Sequence, residues 1–104
     1  MIARIWHGKT DIKHYETYSK FLIDTAVPDY TKTPGFKHFS FLRCIRNNEG
    51  HFTLITYWES WEVIQNFAGN EIDKAKYYPE DKEYLLEFEE KVEHYEVFDK
   101  LFEF

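Results

Sequence analysis

The stretch from Phe36 to Glu59 constrains this chain more than any other. Phe36 to Arg46 is rich in aromatic and β-branched residues, Asn47-Asn48-Glu49-Gly50 supplies residues that tolerate positive φ, and His51 to Glu59 resumes the strand-like composition. This is the signature of a β-hairpin in the middle of the chain. Ile2 to His7 reads as an earlier strand that Gly8 ends, and Val92 to about Lys100 as a final one. Between the first strand and the hairpin, Ile12, Tyr15, Phe21, Leu22 and Ala26 recur near helical spacing behind Thr10 or Asp11, predicting a helix over 11–27 that Pro28 closes.

After the hairpin, Ser60 is placed to cap a helix over Trp61 to Phe67, which Gly69-Asn70 interrupts. A turn or two of helix is expected over Glu71 to Tyr78. Pro79 then opens a longer helix over Glu80 to Glu90, with Asp81 and its neighbouring glutamates on a solvated face. The order strand, helix, strand, strand, broken helix, strand is ferredoxin-like βαββαβ, an α+β class with a four-stranded antiparallel sheet. With 104 residues and few Gly or Pro, the chain is expected to be a single domain, 1–104.

Right-handed crossovers place both helical layers on one side of such a sheet. The other side is then bare, yet strict alternation puts Phe36 and Leu42 opposite Phe39, Phe41 and Ile45, and Ile55 and Tyr57 opposite Phe52, Leu54 and Trp58. Both pleats are apolar, so a second copy of the chain is expected to cover the bare one, as a homodimer. Nucleic acid is excluded as a partner on charge: 19 acidic residues outnumber 13 basic ones, and the basic residues are scattered. No apolar run approaches membrane-spanning length, the N-terminus has no hydrophobic export core, and Cys44 has no partner thiol. A cytoplasmic setting without membrane attachment is expected.

Several blocks of the sequence carry a likeness. Leu54-Ile55-Thr56-Tyr57-Trp58-Glu59-Ser60, Phe67-Ala68-Gly69, Ala75-Lys76-Tyr77-Tyr78-Pro79-Glu80-Asp81 and Val92-Glu93-His94-Tyr95-Glu96-Val97, together with the Thr33-Pro34-Gly35 turn, resemble the antibiotic-biosynthesis-monooxygenase-like (ABM) family. The resemblance spans nearly the whole chain. It implies a dimeric α+β barrel with a pocket in each subunit between sheet and helices, and relatives that include cofactor-independent oxygenases of polyphenols and haem-degrading enzymes. The haem-degrading branch resembles this chain less. Where that branch has an Asn on the first strand, a Trp in the helix after the third strand and a ligating His about ten residues later, this chain has Trp6-His7, Phe67 and a position near Tyr77.

The residues that carry chemistry follow from the strand order. The first and last strands are neighbours, which brings His7 and His94 into possible reach of one another as a proton-transfer pair. Each is otherwise a hydrogen-bonded strand residue. Arg4 alternates with Ile2 and Trp6 on a central strand and needs a partner, either Glu96 on the last strand or a ligand anion. Trp6, Trp58, Phe67 and Tyr77 are candidate walls of an aromatic pocket, or plain core. Cys44 reads as a small apolar filler. No metal spacing, Gly-rich phosphate loop, flavin or nicotinamide signature is present, so no cofactor is expected. The resulting expectation is a small-molecule-binding homodimer, oxygenating an aromatic or polyphenolic substrate without a cofactor. The alternatives are a non-catalytic ligand-binding or structural dimer, and a haem-binding protein.

Overall fold

The computed structural model describes residues 1–99. Six main elements follow one another: β1 (Ile2–Asp11), α1 (Tyr15–Thr31), β2 (Phe36–Arg46), β3 (Glu49–Trp58), α2 (Trp61–Ala68) and β4 (Glu93–Glu96). Short 3₁₀ turns occupy Ile12–His14 and Pro79–Glu83. The four strands form one antiparallel sheet in the order β2-β3-β1-β4. This is the ferredoxin-like α+β arrangement expected from the element order.

The hairpin closes on two residues, Asn47 and Asn48, at φ 52° and 60°. That geometry matches the right-handed twist of the flanking strands, and it leaves Glu49 and Gly50 free to pair as the first residues of β3. β1 continues past Gly8 to Asp11, because β3 offers partners as far as Asp11↔Glu49. Gly8 has a different role. A Cβ there would lie 2.4 Å from Cη2 of Trp6, so the bare glycine lets the Trp6 indole lie along its own strand.

Along β1 and β3 the even-numbered residues face the helices. Trp6, Tyr18, Leu22, Phe52, Leu54 and Leu85 belong to one buried cluster, and Ile2, Ala26, Tyr30, Trp58 and Ile64 form a second. Those clusters also explain why α1 runs four residues beyond its expected end. Burial of Ala26 and Tyr30 on either side of Pro28 outweighs the one backbone donor that Pro28 removes. Ser60 caps α2 as expected, its Oγ accepting from the Val63 amide at 3.4 Å.

The bare pleat is less apolar than strict alternation predicts. A bulge between Phe36 and His38 turns Phe36 to the helix side with Phe39 and Phe41, leaving His38, Ser40, Leu42 and Cys44 outside. The outer pleat thus carries a strip of Ala3, Ile5, Leu42, Ile55, Tyr57 and Tyr95 among polar neighbours. Cys44 is exposed there, opposite His51, and is not a core filler.

The region after α2 departs most from expectation. No helix forms over 71–78 or 84–90: a 3₁₀ turn at Pro79–Glu83 is the only helical piece, and residues 70–92 otherwise run as turns joined by a bridge between Lys74 and Lys91. Glu83 and Glu87 would repel one another one helical turn apart. Leu85, meanwhile, bridges to Thr10 at the end of β1 and buries its side chain in the first cluster. β4 is four residues long, and the expected strand end at Lys100 lies outside the described residues.

Candidate functional site

Arg4 sits at the centre of the site. It is 4% exposed, and its guanidinium donates to the backbone carbonyls of Ile72 at 2.5 Å and Lys74 at 3.1 Å. The Phe67 ring lies 5.9 Å from its Cζ. The expected ion pair with Glu96 does not form, because Glu96 stands opposite Ile2 in the β1–β4 register while Arg4 stands opposite His94. The guanidinium thus pins the irregular segment after α2 to the sheet, and burial lowers its pKa.

His94 completes a three-residue chain. Its Nε2 lies 3.1 Å from Arg4 Nη1, and its Nδ1 lies 3.1 Å from Oδ1 of Asp73. A guanidinium can only donate, so Nε2 accepts and the proton resides on Nδ1, pointing to Asp73. Burial and the neighbouring Arg4 charge both lower the His94 pKa, against the opposing pull of Asp73. The imidazole side chain is 4% exposed and the Trp61 ring packs against it at 5.2 Å. Both ring nitrogens of His94 are therefore in use.

His7 and His94 do not meet. His94 lies opposite Arg4, three residues from His7 along β1, and an odd offset in a pleated strand sends the two side chains to opposite faces. His7 stands on the outer pleat, paired in register with Thr53. Trp58 is fully buried, its Nε1 donating to Thr56 Oγ1 at 2.8 Å, with Phe67 packed on it at 5.0 Å. Both residues belong to the core between sheet and helices, rather than to an open pocket wall.

An open cavity of about 670 Å³ lies beside the Arg4 chain, walled by residues 70–75, Tyr77 and residues 88–91. Asp73 is on its wall. So are the rings of Tyr77 and Phe88, 5.0 Å apart, and Tyr77 in turn meets Trp6 edge-on at 5.8 Å. The Tyr77 hydroxyl donates to the Glu89 carbonyl at 2.6 Å, and burial, reinforced by nearby carboxylates, pushes its pKa up to about 12.

Residues of the segment Ala75–Tyr78 alternate between this cavity and a second one, and the segment forms the wall between them. Ala75 and Tyr77 face the open cavity, whereas Lys76 and Tyr78 face an inner cavity of only about 10 Å³ between the sheet and α1. Asp29 on α1 holds the wall from inside, accepting from Lys76 Nζ at 3.0 Å and from the Tyr78 hydroxyl at 2.7 Å. Burial pushes the Asp29 pKa up, but the bonds from Tyr78, Lys76 and Lys32 outweigh it and hold the carboxylate below its usual range.

Sequence reasoning missed Asp81. Read there as part of a solvated face, it is 1% exposed, with Oδ1 accepting from the Tyr18 hydroxyl at 2.9 Å and Oδ2 from the Tyr78 amide at 2.7 Å. Burial raises its pKa. One signal was present: an acid two residues after Pro79 stands where it can cap a turn that the proline begins. Asp73 carried no comparable signal. Among the described residues, no group of three or more His, Cys, Asp or Glu side chains is arranged to hold a metal ion.

No family model and no curated protein matches the chain. Solved structures do. The haem-degrader MhuD from Mycobacterium tuberculosis, with two hemes bound in its active site, superposes with a TM-score of 0.65 at 20% identity, over 97% of this chain and 99% of that one. A MhuD arginine-to-serine mutant with two manganese protoporphyrin IX bound per active site gives 0.62 at 18% identity, over 99% and 100%. The chain has the ABM-like α+β fold. At this level of identity the likeness concerns the fold alone. No helix among the described residues is long and apolar enough to cross a membrane.

Proposed function

We propose that the chain, as one ABM-like domain over residues 1–104, is a cytoplasmic homodimer that binds a small aromatic or polyphenolic molecule. The observation that carries this reading is the 670 Å³ cavity, whose size suits a drug-sized organic ligand. Tyr77 and Phe88 offer ring faces for stacking, and the Asp73–His94–Arg4 chain offers an acceptor backed by a buried cation. The dimer reading draws on the apolar strip of Ile5, Leu42, Ile55 and Tyr57 on the outer pleat. An exposed free thiol on that pleat suits a reducing compartment.

In the enzymatic form of this reading Asp73 takes the phenol's proton and the electron-rich anion passes an electron to O2; the radical pair joins as a ring peroxide, which takes the proton back and loses water to leave the quinone, without flavin or metal. Asp73 then serves as the polar end of the cavity, with His94 and the Arg4 charge behind it; His7, on the other pleat, has no part. Native mass spectrometry of the purified chain, followed by O2-uptake measurements with catechol-type phenols, tests both levels. A ligand adduct with O2 uptake supports the oxygenase, and an adduct alone supports the non-catalytic binder. Absence of any adduct or affinity across an aromatic panel overturns the reading.

Haem binding is the second reading, favoured by the porphyrins named in the two solved neighbours. The 670 Å³ cavity is the only one of the two that a macrocycle could enter, and the Tyr77 and His94 donors beside it would have to give up a hydrogen bond to ligate iron. The Tyr77 hydroxyl is spent on Glu89 and resists ionisation, both nitrogens of His94 are engaged, and the inner cleft at about 10 Å³ has no room for a macrocycle. Titration with haemin is expected to leave the Soret band of free haemin unshifted.

A further inference from the structure

Trp6 is the unusual member of the inner cavity. It is 8% exposed, and its indole Nε1 is a buried donor with no hydrogen-bond partner. A buried N–H left unsatisfied is costly, so native proteins rarely retain one without a use. The cavity that Trp6 lines measures about 10 Å³. That is close to the least volume that accepts one oxygen-sized group.

The same cavity contains the matching acceptor. Asp81 lines it, and although Oδ1 and Oδ2 each accept one bond, from Tyr18 and Tyr78, each carboxylate oxygen has a second lone pair. Among the described residues no cation pairs with this carboxylate: Lys76, which also lines the cavity, is paired with Asp29 instead. Trp6 and Asp81 line the same oxygen-sized space, and a donor and an acceptor brought to one such space suit a hydroxyl group, which accepts one hydrogen bond and donates another. An anion would meet the carboxylate, and an ammonium group would meet the indole N–H.

We propose that Trp6 Nε1 and the Asp81 carboxyl form a subsite for a single hydroxyl of an aromatic ligand, entered from the open cavity when the ligand displaces the Ala75–Tyr78 segment. Tyr18 is a positioning residue here, since its hydroxyl orients the Asp81 carboxyl. The Phe88–Tyr77–Trp6 ring contacts link the two cavities, so a planar ring that takes the place of Tyr77 comes to lie beside Trp6. This inference rests on the reading that the open cavity binds an aromatic molecule, and it specifies the substituent that the ligand must carry.

The test uses the intact chain labelled with 15N, following the Trp6 indole N–H resonance during titration with catechol and with 1,2-dimethoxybenzene, which has the same ring but no hydroxyl. Saturable movement of the Trp6 indole signal with catechol is expected, with at least about 10-fold weaker binding of the dimethoxy compound. Tyr18→Phe is expected to weaken catechol about 3- to 10-fold while leaving the dimethoxy compound unchanged. If signals of residues 70–75 and 88–91 move while Trp6 stays fixed, the subsite is overturned and the binding reading stands. Equal affinity for the two compounds also overturns it. If no signal moves at millimolar concentration of either compound, both fall together.

Discussion

Arg4 and His94 face one another across β1 and β4, and the 3.1 Å between Nη1 and Nε2 decides which nitrogen of the imidazole bears the proton. The guanidinium that fixes the tautomer also holds the carbonyls of Ile72 and Lys74, so the sheet and the cavity wall share one anchor.

Arg4→Met keeps the apolar stem and removes the donors, leaving two carbonyls and an imidazole nitrogen without their partner. A loss of about 2–4 kcal/mol is expected in urea unfolding, on the scale set by unsatisfied buried polar groups. Hydrogen exchange of residues 72–75 should accelerate in the same variant. Arg4→Lys should recover part of the stability, since an ammonium can serve one carbonyl but cannot fork to both.

The pH dependence of stability follows from His94. Its folded pKa lies below the ordinary 6.5, so between the two values the unfolded chain binds more protons than the folded one. The stability tied to neutral His94 is therefore present above about pH 6.5 and lost as pH falls through the folded value. Asp81 works in the opposite sense, with a raised pKa whose contribution fades as pH rises above the carboxylate range. Comparing urea midpoints from pH 5 to 8, His94→Gln should flatten the fall on the acid side. A variant that retains the wild-type slope would assign the effect to another group.

Much of this fold was legible because its cues are local. Asn47-Asn48 states its turn through backbone preferences that need no tertiary help, and Ser60 states a helix start in the same way. Register was not legible. The neighbouring strands β1 and β4 were correctly paired, yet a three-residue offset, invisible to composition, separated His7 from His94 by the thickness of the sheet. The bulge beside His38 reversed the face of Phe36 for the same reason. Asp81 was hidden in a run of carboxylates, where the one buried member differs from the solvated ones only through Tyr18, 63 positions away.

The outer pleat predicts association. Ile5 and Ile55 are cross-strand partners at its middle, flanked by Leu42 and Tyr57. At about 25 cal/mol per Å² of apolar surface removed from water, a strip of this kind in two copies can hold a dimer. Light scattering after size exclusion should give twice the subunit mass at micromolar concentration. Ile55→Lys should reduce it to one, with the far-UV circular dichroism preserved, because the side chain is only half buried within the subunit.

Gly8 offers a separate handle on Trp6. A methyl added at this position would meet Cη2 and Cζ3 of the indole at 2.4 and 2.7 Å and Cδ2 of Leu85 at 3.2 Å. Gly8→Ala should therefore cost about 1–3 kcal/mol through overpacking. The indole must swing away from the strand to relieve the contact, which moves Nε1 relative to Asp81 and changes the near-UV circular dichroism. Trp6→Phe removes the two clashing atoms together with the donor. In the Trp6→Phe background, Gly8→Ala should cost less than half as much in urea unfolding, a coupling of at least about 0.5 kcal/mol between residues in direct contact. Full additivity would mean that the glycine is needed for some other reason than the indole above it.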